Sequence, residues 1–294
     1  MNPFSAGPMP FRFLLDEAIR QARRHFRAIY PSVAIPIAVV AMAVAAAQAL
    51  WFSRVAADLG TMRSPFWSPQ VLLLTLVYAA LLAIAYSAMQ VAAVDAIAGR
   101  PIDMKRAWRF TLQGRVLGTL FLWYAATLVS LTCCCLPALY VVPLFSLVPP
   151  AMVEEGRFGV QALSRSAELT RHNPSRVFFE HPLVKVFLLI LVGVLLSYLL
   201  GLLVSLPFQI PMYVDMFRKA AAGEDMVQGM PTWLWLQVPA QLLNALASTA
   251  VYLYLCFGTA LLFFDTRGRK EGSDLRSEID VVFPPASPPP ELPL

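Results

Sequence analysis

Six stretches of this chain contain no Lys, Arg, Asp or Glu and are predominantly apolar: residues 30–52, 70–94, 116–134, 136–153, 186–206 and 233–264. A helix rising 1.5 Å per residue needs roughly 20 such residues to cross a hydrocarbon layer about 30 Å thick. Inside lipid every backbone N–H and C=O must bond within its own segment, which restricts a chain of this kind to helices. The expected fold is an all-α polytopic membrane bundle of six transmembrane spans. Composition agrees, with 58% hydrophobic residues, 14% charged residues and a mean hydropathy of +0.63, where soluble domains carry about a quarter charged residues.

The third and fourth stretches are separated only by Cys135-Leu136-Pro137. They read as two short spans or as one bent, re-entrant hairpin, and the charge pattern fits two spans. The first stretch has a rival reading as a signal peptide, because arginines precede it and Ala45-Ala46-Ala47 resembles a cleavage site. Its length and the 29 residues before it favour a retained span.

Charge placement orients the bundle. Of the 23 Lys and Arg residues, nineteen fall before the first stretch and after the second, fourth and sixth. Only Arg54, Arg63, Arg218 and Lys219 fall on the other side. The positive-inside rule then places both termini in the cytoplasm and 207–231 outside, as expected of a multi-pass protein of the bacterial cytoplasmic (inner) membrane. A net charge of +5 would be weak evidence for nucleic acid in a soluble protein. Here the basic residues flank apolar runs, so the expected partner is the lipid bilayer and not nucleic acid.

The division that follows is a cytoplasmic amphipathic helix over 1–29, a membrane domain over 30–265 and a cytoplasmic tail over 266–294. Phe11, Leu15, Ala18, Ala22, Phe26 and Ile29 lie within an arc of roughly 80°, with Arg12, Arg20, Arg23, Arg24 and Arg27 opposite. Such a helix is expected to lie in the headgroup plane. Met104, Trp108 and Leu112 repeat the pattern after the turn Gly99-Arg100-Pro101, as do Phe158, Ala162 and Leu169 before the fifth span. Three cytoplasmic helices, each followed by a hairpin, would amount to a weak internal repeat. The tail holds six prolines in its last eleven residues, which predicts a disordered, polyproline-like extension.

Three segments together resemble one bacterial family. They are Leu14-Leu15-Asp16-Glu17-Ala18 leading to Arg23-Arg24-His25-Phe26-Arg27; Pro149-Pro150-Ala151-Met152-Val153-Glu154-Glu155-Gly156 running into Ala162–Thr170; and Phe264-Asp265-Thr266-Arg267-Gly268-Arg269-Lys270-Glu271-Gly272-Ser273-Asp274-Leu275. They look like the glycerophosphoryl diester phosphodiesterase membrane domain family, over about residues 10–276. The phosphodiesterase barrel of that family's namesakes needs about 250 residues of alternating strands and helices, and the sequence after Asp265 does not supply them. The resemblance therefore implies the membrane domain and not the hydrolysis.

The chemistry-bearing residues agree. His25, His172 and His181 lie in basic segments, and none has a His or Cys partner at helical i, i+4 spacing, so no metal or other cofactor is expected. His172 with Glu168 reads as an exposed helical contact. Cys133-Cys134-Cys135 reads as small apolar residues at a helix end, and Met212, Met216, Met226 and Met230 as part of an interfacial helix. The spans carry no ionisable group, which argues against a proton- or ion-driven pump. Their polar residues are amides and hydroxyls such as Gln48, Gln90, Ser197, Gln241 and Asn244, of the kind that bonds between helices.

What remains is a rim of mixed charge: Glu154, Glu155, Arg165, Glu168, Arg171, Asp265, Arg267, Arg269, Lys270, Glu271 and Asp274. It reads as an ion-pair network that locks helix ends, or as a docking surface for a protein partner or anionic lipid headgroups. Arg165 is expected to pair with an acid of another segment, with Glu154, Glu155 and Asp265 the candidates. The function expected from the sequence is non-enzymatic: a scaffold or accessory protein that organises a partner or senses the bilayer. The alternative is a carrier or flippase-like protein for a lipidic or amphiphilic substrate, and a membrane-embedded lipid-modifying enzyme comes third.

Overall fold

The computed structural model describes residues 9–57, 69–133, 135–171, 178–222 and 230–272. Asp274, His172, Met226, the proline-rich tail and the side chains of the cysteine triplet lie outside the described residues. The described chain is all-helical. Six helical segments are long and apolar enough to cross a membrane, so this is a multi-pass membrane protein.

Three long helices form the frame: α1 (Phe11–Ala57), α8 (Pro182–Ala222) and α9 (Met230–Glu271). At 47, 41 and 42 residues they run about 60–70 Å, twice the thickness of the hydrocarbon layer. The shorter elements fill in around them: α2 (Pro69–Ile97), α3 (Met104–Thr111), α4 (Gly114–Cys133), α5 (Cys135–Phe145), α6 (Val148–Glu155) and α7 (Val160–Arg171).

The N-terminal segment differs from the expectation of a separate in-plane helix. α1 runs unbroken from Phe11 through Pro31 and Pro36 into the first span. Its buried stripe is Leu14, Ala18, Ala22, Ile29 and Val33, while Phe26 is exposed. That stripe packs antiparallel on α9, where His25 stacks on Phe257 at 6.0 Å and the Tyr30 hydroxyl donates to the Leu246 carbonyl at 3.0 Å. The chain's own α9 thus covers most of the face that the sequence assigned to lipid. Residues 207–222, where the sequence reads as an interfacial helix, continue α8 through Pro207 and Pro211.

The third and fourth stretches form a helical hairpin. Val116 and Leu120 of α4 share a cluster with Val148 and Met152 of α6, and Trp123 packs there with Phe145. The returning arm is two helices because positions 149 and 150 are proline. Without their N–H groups the carbonyls of Phe145 and Ser146 have no helical partner, so the helix stops and restarts with proline in its first turn. α7 repairs the gap: Ser166 Oγ accepts from the Leu147 N–H at 3.2 Å and donates to the Leu144 carbonyl at 2.8 Å.

Candidate functional site

Two regions stand out, one charged and one neutral. The charged one lies where α2, α6, α7 and α9 end together. α2 terminates at Gly99, whose φ of +71° is left-handed, and the following N–H of Arg100 bonds back to the Asp95 carbonyl at 2.8 Å. The turn brings the Arg100 side chain to Asp95, with Nε 2.7 Å from a carboxylate only 2% exposed. Its other end donates to Glu154 of α6 at 2.6 Å.

Glu155 is the hub. Arg165 of α7 donates to it from Nε at 2.9 and 3.0 Å and from a terminal nitrogen at 2.9 Å. Arg157 adds a 3.0 Å contact and Arg267 of α9 approaches to 3.7 Å. Arg165 also pairs with Glu271, and Lys270 with Glu168. Burial by itself would pull the Arg165 pKa down, but hydrogen bonds and charge from Glu155 and Glu271 outweigh it and hold the group above its ordinary value. Glu168 is held below the usual carboxylate range, chiefly by the hydrogen bond from Lys270.

Of the rim residues named from sequence, the structure brings Glu154, Glu155, Arg165, Glu168, Arg267, Lys270 and Glu271 into one network. Glu155 supplies the interhelical acid for Arg165, together with Glu271. Arg171 stands apart, donating to the Tyr140 hydroxyl at 3.1 Å. Asp265 and Arg269 form their own i, i+4 pair at 2.7 Å beside the N-terminal segment. There Lys185, 2% exposed, donates to the Met9 carbonyl at 2.7 Å. Asp95, Arg100, Arg106 and Lys185 were not singled out as rim members from the sequence. Asp95, an acid at the last turn of an otherwise uncharged span, was the available signal. Among the described residues no three of His, Cys, Asp and Glu gather in a way that would hold a metal ion.

The neutral region runs through the helices themselves. A cavity of about 350 Å³ opens between α2, the α4–α6 hairpin, α8 and α9. Aromatic rings wall it: Tyr86 stacks on Tyr252 at 4.1 Å, with Trp123 and Tyr124 opposite. Gln90 crosses one end to donate to Thr259 Oγ1 at 2.8 Å, the interhelical bond expected of that residue. The Trp123 indole N–H is buried without a partner.

A second groove of about 370 Å³ lies between α8 and α9 and shares Ser197 with the first. Small residues make it possible. Gly193, Ser197, Gly201 and Ser205 recur every fourth position on α8, so α9 approaches closely. A Cβ on Gly193 would stand 2.5 Å from Leu255, and one on Gly201 would stand 2.8 Å from the Asn244 amide oxygen. Gln209, Gln237, Gln241 and Asn244 line the outer part. Interhelical bonding was expected of Ser197, Gln241 and Asn244, yet no hydrogen bond joins them to another described residue.

Depth follows from helical rise. Ser197 stands about 18 Å and Gln209 about 36 Å along α8 from Lys185, and Gln90 about 8 Å along α2 from Asp95. From Ser197 to Gln209 the groove spans about 18 Å of helical rise.

No family model, no curated protein and no solved structure matches this chain.

Proposed function

We propose that this protein is a non-enzymatic, passive carrier of the flippase-like kind for an amphiphilic lipid, seated in the bacterial cytoplasmic membrane with both termini in the cytoplasm. The observation that carries the reading is a neutral groove and cavity sharing Ser197, in which the side chains of Ser197, Gln209, Gln237, Gln241 and Asn244 make no hydrogen bond to another described residue. An unpaired amide in hydrocarbon costs free energy that water or a ligand headgroup can offset. A path open to lipid along its length lets a headgroup cross while the acyl chains stay in the bilayer. Away from their charged ends the spans supply no Asp, Glu, His, Lys or Arg to couple movement to protons, so the movement is downhill. Membership of the glycerophosphoryl diester phosphodiesterase membrane domain family belongs to the same proposal, supported by the three segments quoted above.

A second reading, a scaffold or accessory protein, draws support from the charged network, which makes the cytoplasmic end a rigid platform for a partner. Purified protein reconstituted into vesicles with trace tail-labelled lipids separates the two. A membrane-impermeant quencher should reach the inner-leaflet probe faster than in protein-free vesicles. A carrier is refuted if uncharged, zwitterionic and anionic probes all remain protected. A scaffold would instead yield one discrete protein adduct when a photo-crosslinker is placed at the exposed Val160 in native membranes.

A further inference from the structure

We infer that the substrate of this path carries an uncharged, hydroxyl-bearing headgroup, of the glycosyl-diacylglycerol or diacylglycerol kind, rather than a phosphate. The inference rests on the carrier reading and adds the chemistry of selection.

Along the groove the polar contacts are Ser197, Ser205, Gln209, Gln237, Gln241 and Asn244, and not one carries a charge. Each amide both donates and accepts, as does each hydroxyl, which matches the hydroxyls of glycerol or a sugar and not the accept-only oxygens of a phosphate. The cavity beyond Ser197 keeps to the same rule, with Ser87, Gln90, Ser146 and Thr259 among aromatic walls. Sugar rings and glycerol backbones present apolar C–H faces as well as hydroxyls, which suits a lining of rings and neutral polar groups. The Trp123 N–H, buried and unpartnered in the wall of this cavity, is an unused donor.

A phosphate would meet no compensating charge between the two membrane faces. The arginines nearest the inner end of the path, Arg100, Arg165 and Arg267, are already engaged by Asp95, Glu154, Glu155 and Glu271. An isolated charge near mid-membrane is costly enough to slow crossing by about tenfold or more relative to a neutral group.

Vesicles containing the purified protein and either tail-labelled glucosyl-diacylglycerol or tail-labelled phosphatidylglycerol test this, with identical acyl chains. The expected result is exchange of the neutral probe about tenfold or more faster, with the advantage lost in the double variant Gln241→Leu/Asn244→Leu. Equal acceleration of both probes would overturn the selection while leaving a carrier standing. No acceleration of either would remove the carrier and the selection together. Because a variant can fail through misfolding, a photoreactive glycosyl-lipid is also applied to the wild-type protein. Adducts should map to residues 197–209 and 237–244, and adducts confined to other helices would overturn the placement.

Discussion

The C-terminal end of α9 and its N-terminal half use polar side chains in opposite ways. Over its last turns Asp265, Arg267, Lys270 and Glu271 are all in contact with opposite charges. Farther out, Gln237, Gln241 and Asn244 meet no hydrogen-bonding partner among the described residues. Burial follows the same division. Phe257, Leu261, Leu262 and Phe263 are buried, whereas the neighbouring outer part of α8 exposes Val194, Leu195, Tyr198 and Leu203. Strong charges at the membrane edge neutralise one another and tie helix ends together, which makes that end rigid. Neutral amides without partners contribute little cohesion and leave hydrogen-bonding capacity unused, which is what the proposed carrier role would draw on.

Four substitutions break or sharpen this contrast. Arg165→Ala has the largest effect. It strands Glu155, whose carboxylate is 6% exposed, against only Arg157 and a distant Arg267. Removing one member of a buried pair costs about 3–5 kcal/mol. Denaturation of the detergent-purified protein should show a loss of that order, and a loss below about 1 kcal/mol would mean the network is not the anchor.

Gly193→Leu comes next, because the new side chain enters space held by Leu255. Overpacking of this kind costs about 1–3 kcal/mol. It should also open the α8–α9 seam, read as increased accessibility of a cysteine placed at Ala240 to a thiol reagent.

Glu168→Gln is smaller, since its side chain is half exposed and its pair with Lys270 is solvent-screened; about 0.2–1 kcal/mol is expected. The sign of its pH dependence is fixed. A carboxylate held below its ordinary value stabilises the fold fully above the unfolded-state pKa, about 4.3. That contribution is lost as pH falls below that value and through the depressed folded-state pKa. The wild-type protein should therefore lose more stability on acidification through this range than Glu168→Gln, and parallel pH profiles would contradict the assignment.

Gln241→Leu/Asn244→Leu has the smallest effect on stability, within about 0.5 kcal/mol of wild type, because it removes polar groups that bond to nothing described. The same pair should abolish transport of the neutral lipid. A loss of several kcal/mol would show instead that the amides hold the helices together.

How much of this was legible without coordinates depends on the range of the interaction. The six spans were readable because bilayer thickness imposes a length and a polarity on each segment separately, as 70–94 and 186–206 show. The charged rim was readable in part: Glu154, Glu155, Arg165 and Glu271 sit at span ends, where opposite charges at one membrane face must meet. That Arg165 pairs with an acid of another segment was readable too, but the choice of Glu155 and Glu271 was not, because it depends on how α7 lies across the break at Leu147 in the returning arm of the hairpin. The entry helix was misjudged for the same reason. Its amphipathic pattern says that one face is covered, and only the packing of α9 decides that protein covers it rather than lipid.

The neutral path lies farthest from sequence. Ser197, Gln241 and Asn244 read as interhelical bonding groups. Sequence by itself determined that these groups lie within or beside membrane-spanning helices and carry no charge, since both are local properties of a segment. Tertiary structure alone decided that α8 and α9 meet along the small-residue stripe, and that their amides face a groove instead of one another. A hydrogen bond between helices requires two partners at about 3 Å, and that coincidence is set by helix register and crossing, which no single segment encodes.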